Sequence, residues 1–442
     1  MTPEPTRSSQ PELIRAIGRW SMVALAVNCI LGSGIFGLPS VVAGLIGRAS
    51  PLAVLLAGIG MGVIIACYAE VASQFPETGG TYLYLRHAFG RLVGLQVGWM
   101  TLLTRLTAGA AAVNLLVSYL AEFFPAATDP VPRLIIITVF IGAIAWVNCR
   151  GVGGGTLMSN ASVVAKLGAL AVVCVAGVAW LIFHPPVAAQ AVSVNADSWL
   201  KAMLLLLFAY GGYETALNPM GEARNPRRDV AFALFVALAI LTVMYAILQW
   251  VVVSVLTDPA HSQRPLADAA RVLMGEPGAA LISVGALVSV YGYVSANILT
   301  APRGMFALAE RRDFPAIFGA VHPRWRTPYV SIVVFALALW GFSQFASFSW
   351  NVTLSAVARI LYYGGTCAAV PVLRRMQPGA AAFRLPGGLV LPVLGMVICA
   401  VLLTRVDFSK SLILLVTIGI ALVNWLMVRD RPADSTVVAP RA

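Results

Sequence analysis

Apolar runs of about 18 residues or more recur along the whole chain, separated by short clusters of charged, proline and glycine residues. Runs of that length predict helices that cross a bilayer. The pattern places them near residues 20–46, 51–74, 89–121, 131–149, 158–183, 197–221, 229–256, 278–309, 328–344, 350–373, 387–404 and 410–428. Twelve crossings put both termini on one side. Linkers are short except Pro259 to Pro277 and Glu310 to Thr327. The polar leader Met1 to Arg19 lacks the short apolar core and small-residue cleavage site of a signal peptide, so the first run is expected to remain as a span.

Two runs are interrupted where a soluble helix would simply end. In "ILGSGIFGLP", Gly32-Ser33-Gly34 are poor helix formers and Pro39 follows, yet the run continues to about Ile46. The sixth run is broken at Gly211-Gly212 and carries Glu214 at membrane depth. Five helices separate the two starts, so the broken spans run in opposite directions, as in inverted repeats that build a site at the bilayer midplane. Unwinding exposes amides at the start of one half-helix and carbonyls at the end of the other. In hydrocarbon each such group costs several kcal/mol, so it persists only facing a cavity or a ligand. Amides near Ser33 suit a carboxylate, and carbonyls near Ile30, Phe208 and Gly211 suit an ammonium. A zwitterionic amino acid matches both. The alternative is that these glycines only permit close helix packing.

Composition agrees with the membrane reading: 59% of residues are hydrophobic, 11% charged, and mean hydropathy is +0.85. The net charge of +12 is unevenly spread. With the N-terminus inside, Arg86, Arg91, Arg150, Arg224, Arg227, Arg228, Arg303, Arg311, Arg312, Arg374 and Arg375 all fall on the cytoplasmic side. The outside holds only Arg48, Arg133, Lys201, Arg264, Arg271, Arg405 and Lys410. This is the positive-inside asymmetry, so the basic balance reflects topology and no nucleic-acid partner is expected. The six cysteines fall in or beside spans, no pair has metal-ligand spacing, and no nucleophile elbow, zinc helix or phosphate loop is present. The chain is therefore not read as an enzyme, and no cofactor or metal is expected.

Several stretches together resemble the amino acid–polyamine–organocation (APC) superfamily of transporters. They are "GSGIFGLP", "YAEVASQFPETGGTYLYLRHAFG" from Tyr68 to Gly90, "FAYGGYE" leading into "GEARNPRRD", "PRGMFALAERRDFP" and "TCAAVPVLRR". The resemblance implies an all-α polytopic protein of the LeuT-type fold. After a cytoplasmic segment at 1–19, one five-helix repeat covers 20–183 and a second, inverted, covers 197–373. Two additional helices at 387–428 and a cytoplasmic tail at 429–442 follow. It also implies that Ser33 and Gly34 take a substrate carboxylate and that Ile30, Phe208 and Gly211 present carbonyls to the amine, with Gly32 and Gly212 in the same substrate site. Phe208 would close over the substrate, with Ala108 and Asn297 facing its side chain.

Lys166, in "NASVVAKLGALAVV", is costly at the centre of a span unless it faces the interior. By resemblance, its ammonium stands where sodium-coupled relatives bind an ion, against the carbonyl end of the first half-helix. The competing reading is a lysine snorkelling to the cytoplasmic surface. Glu214, Arg105 and Arg359 form a second polar set, with Tyr363 as the span-ten neighbour of the glutamate. An Arg105–Glu214 gate and a static structural pair both remain open. Glu70 is expected to order the end of its helix. The expected function is sodium-independent, secondary-active transport of an amino acid or related amine across an inner or plasma membrane, by exchange or proton coupling. A polyamine or amine carrier, or a transporter-like sensor without net flux, are the alternatives.

Overall fold

The computed structural model of the chain describes residues 18–75, 79–151, 155–187, 192–217 and 224–429. The expected cytoplasmic N-terminal segment and C-terminal tail therefore fall almost wholly outside the described residues, as do parts of the "PETGG" and "GEARN" motifs. Among the described residues the structure is helical throughout.

The first run is two helices, α1 (Arg19–Ile30) and α2 (Gly34–Ile46). Leu31 has φ −71° and ψ 76°, the geometry of an inverse γ-turn, and the Gly32 N–H accordingly donates to the Ile30 carbonyl at 2.7 Å. The sixth run is likewise split into α8 (Ala196–Tyr210) and α9 (Tyr213–Ala216). There Gly211 is extended and Gly212 takes φ 112°, a region closed to most other residues. Between them lie α3 (Ser50–Gln74), α4 (Gly80–Phe89), α5 (Arg91–Leu120), α6 (Pro130–Arg150) and α7 (Gly155–Phe183). After them come α10 (Pro226–Val255), α11 (Pro265–Glu310), α12 (Tyr329–Phe345), α13 (Phe348–Met376), α14 (Val390–Leu403) and α15 (Phe408–Val428).

Two boundaries depart from expectation. The third run matches α5, but the linker before it forms a short helix of its own, α4, which Gly90 at φ 87° separates from α5. The expected linker from Pro259 to Pro277 is mostly helical from Pro265, with a break at Gly275 (φ 72°) setting its first turns at an angle to the long apolar stretch.

Eight described helical stretches are long and apolar enough to cross a membrane, and α1, α12 and α14 are shorter apolar helices. Outer helices turn bare apolar side chains outward, such as Ile135 and Val139 on α6 and Leu415 and Val423 on α15, as contact with lipid tails requires. The protein is a multi-pass membrane protein.

The helix packing has an internal regularity. α2 lies on α8 and α1 on α9, so the two broken segments cross antiparallel, break against break. α1 packs on α10 as α8 packs on α3. α7 packs on α11 as α13 packs on α5, and α7 packs on α10 as α13 packs on α3. α3 with α10, α5 with α11 and α6 with α12 are also in contact. Exchanging the segments before Phe183 with their counterparts after Ala196 thus maps each of these pairs onto another of them or onto itself. α14 leans on α3 and α13, and α15 on α5, outside this arrangement.

Candidate functional site at two facing helix breaks

The breaks touch directly. Gly34 at the start of α2 abuts the Ala209 backbone and the Phe208 ring, where a Cβ would stand 3.2–3.3 Å from both. A Cβ on Gly212 would overlap the Cys29 carbonyl oxygen. Glycine here is a condition of the approach. Beside this junction lies a cavity of about 530 Å³.

Most of the residues singled out from the sequence line that cavity: Ile30, Gly32, Ser33, Gly34, Arg105, Lys166, Phe208, Gly211, Gly212, Glu214, Asn297 and Arg359. Two do not. Ala108 is buried in α5 one turn beyond the lining residues Thr104 and Arg105, and Tyr363 stands behind Glu214. From the breaks the lining continues along Thr101, Thr300 and Gly304 to Tyr82, Arg311 and Phe314. At the other end α2 is sealed. The Tyr119 hydroxyl donates to the Phe36 carbonyl at 2.8 Å, and Phe348 and Leu115 leave no room for a Cβ at Gly37.

Lys166 is 6% exposed, which rules out snorkelling. Its Nζ donates to the carbonyls of Leu31 at 2.8 Å and Asn28 at 3.2 Å. The ammonium thus caps the last carbonyls of α1, where the helix dipole is negative. The Ile30 carbonyl is already met by Gly32 N–H, and the Phe208 carbonyl by Gly211 N–H at 3.1 Å, so each keeps one lone pair for a ligand.

Glu214 is held from four sides. Its Oε2 accepts from Gly212 N–H at 2.8 Å and the Tyr363 hydroxyl at 3.0 Å. Its Oε1 accepts from the Tyr362 hydroxyl at 3.1 Å and lies 3.3 Å from Nη1 of Arg359. The partner of the glutamate is therefore Arg359. Arg105, the other candidate, turns to the hydroxyls of Thr300 at 3.1 Å and Thr215 at 3.5 Å. The signal for this was present in the sequence: Arg359, Tyr362 and Tyr363 sit at i, i+3 and i+4, on one face of one helix. Thr300 was also missed, although it follows Asn297 by three on the same helix. Asn297 itself donates to the Arg105 carbonyl at 2.8 Å and fixes α11 on α5.

Glu70 lies away from the cavity. Its carboxylate accepts from Arg374 Nε at 2.6 Å and Nη2 at 2.7 Å and from the Leu385 N–H at 2.8 Å, so it ties the end of α3 to α13 and to the segment before α14.

Among the described residues the site thus offers an amide end, a carbonyl end, one carboxylate and several fixed cations inside a membrane protein. Comparison with known proteins identifies relatives among transporters. The chain is 26% identical to a methylthioribose transporter of Bacillus subtilis, covering 89% of this chain and 88% of the relative. It is 30% identical to the serine/threonine exchanger SteT of the same organism, covering 72% of this chain and 74% of the relative. It is 24% identical to the branched-chain amino acid permease BcaP, also of Bacillus subtilis, covering 95% and 94%. The profile of the family described as amino acid permease matches residues 17–428. The chain belongs to the amino acid permease family, a family of APC-type transporters.

Proposed function

We propose that the protein is a sodium-independent, secondary-active amino acid transporter of the LeuT-type fold, working by alternating access around the two breaks. The reading rests above all on one observation: two glycine-broken helices cross antiparallel beside a cavity, with Lys166 bonded to the carbonyl end of the first. The exchangeable set of helix contacts supports the inverted repeat of five helices plus five. The substrate carboxylate meets the amides at Ser33 and Gly34, and the amine meets the free lone pairs at Ile30, Phe208 and Gly211. The ammonium of Lys166 serves in place of a coupling sodium, leaving exchange or proton coupling to drive transport.

By the positive-inside rule, the mouth at Arg311 and Tyr82 faces the cytoplasm, so the cavity is open inward and sealed outward at Phe36, Tyr119 and Phe348. Both termini are then cytoplasmic, in an inner or plasma membrane. A polyamine carrier fits the cavity poorly, since the lining brings more cations than carboxylates against a polycation.

Counterflow in proteoliposomes tests the reading. Liposomes preloaded with the twenty amino acids should accumulate a labelled substrate amino acid. Binding without counterflow of any amino acid would identify a sensor instead. The methyl ester of that substrate should compete at least tenfold more weakly than the parent, because esterification removes the charge that the α2 amides receive. Equal competition by the decarboxylated amine would point to an amine carrier.

A further inference from the structure

The charges around the cavity do not balance. Among the described residues, Arg105, Lys166, Arg311 and Arg359 line it against the single carboxylate of Glu214. Three of the four are accounted for, Arg359 by its ion pair with Glu214. Arg311 stands at the mouth, next to solvent, and Lys166 is satisfied by two backbone carbonyls. Glu214 has no capacity left, since two tyrosines, a backbone amide and Arg359 already surround it.

Arg105 remains. Arg359 is 6% exposed, and its Nε and Nη1 make no hydrogen bond among the described residues, although Nη1 lies within ion-pair distance of Glu214. Arg105 has no carboxylate within 4.0 Å among the described residues and touches only neutral hydroxyls. Both guanidinium groups are carried on packed helices at membrane depth. Arg359 is buried there, while Arg105 is half-buried and faces the cavity, as intramembrane charges face a partner or a ligand pathway. Thr300 and Thr215 hold the Arg105 group in place while leaving its charge unanswered, which is the arrangement of a receptor for a charge that arrives with a ligand.

We infer that the transported amino acid is dicarboxylic, its side-chain carboxylate received by Arg105 with Arg359 beside it. This rests on the proposed function, which makes the cavity the substrate site. The α-carboxylate and amine are read at the helix breaks, and the second carboxylate reaches across to α5. A guanidinium presents two parallel N–H groups to a carboxylate, so this pairing is selective for a planar anion over an amide of the same shape.

The test uses the full-length protein in proteoliposomes, with counterflow of tritiated L-glutamate, L-aspartate and L-leucine, and competition by L-glutamine and glutarate. L-glutamate or L-aspartate should be carried, and should compete on the order of a hundredfold better than L-glutamine. Arg105→Gln should remove most of that margin by weakening the acidic substrate, and Arg105→Lys should restore part of it. L-leucine carried with L-glutamine competing as well as both acidic amino acids would overturn the inference while leaving amino acid transport standing. Glutarate competing as well as L-glutamate would also overturn it, because the amine would then go unread. Counterflow of no amino acid would instead remove the proposed function itself. Should Arg105→Gln not fold, the wild-type competition series decides the matter alone.

Discussion

Gly212→Ala will abolish transport and lower the melting temperature, while Gly60→Ala will leave both unchanged. At φ 112°, an alanine costs about 1–3 kcal/mol in backbone strain alone. The added methyl must also displace the Cys29 carbonyl, a backbone atom at the end of α1 that cannot rotate aside. The two breaks are then pushed apart, and with them the carbonyls that Lys166 holds. Gly60, on α3, has open space where its Cβ would go, so it controls for a general loss of glycine. Melting curves in detergent and counterflow in proteoliposomes read both effects. A folded, active Gly212→Ala protein would show that the breaks do not need their close approach.

Glu214→Gln should be the most damaging change to a side chain in the cavity, because it removes the carboxylate that pairs with Arg359. Breaking a buried pair from one side costs about 3–5 kcal/mol, since it leaves the other charge without a counterpart. The glutamine still accepts from Gly212 N–H, so the loss reports on charge more than on loop geometry. The Glu214→Gln, Arg359→Gln double variant should be more stable than the sum of the single losses predicts, with coupling of about 0.5–3 kcal/mol. The same cycle with Arg105 in place of Arg359 should come much closer to additivity, since those two groups form no ion pair. Additive losses with Arg359 would mean that the 3.3 Å approach carries no energy.

Much of this arrangement is legible in the residues, for physical reasons that can be named. Gly32-Ser33-Gly34 and Gly211-Gly212 announce the breaks because consecutive weak helix formers interrupt runs that continue, at corresponding places in the two halves. Lys166 announces an interior partner because a lysine in a span needs one. Where the reading went astray, the missing information was rotational or local. Composition shows that Glu214 needs a cation, yet Arg105 and Arg359 are equally apolar in their flanks. Only the rotation of α13, which brings Arg359, Tyr362 and Tyr363 to one face, separates them. Ala108 shows the same limit: a shift of three or four residues along α5 decides whether alanine or the Thr104–Arg105 pair meets the cavity. At Gly275 a positive φ sets the helical part of the expected linker apart from the span, and glycine in a membrane helix is too common to signal that alone.

The central claim is that a protein ammonium stands in for a coupling ion at the first helix break. The measurement that bears on it most directly is the initial rate of substrate uptake into proteoliposomes with external sodium replaced by choline, for the wild type and for Lys166→Ala at matched protein incorporation. Uptake by the wild type should be the same in both salts. Lys166→Ala should lose most of its uptake in both, because the carbonyls of Asn28 and Leu31 are then left without a donor at the end of α1. A wild-type rate that falls when sodium is withdrawn, or a Lys166→Ala protein that transports at the wild-type rate, would contradict the account.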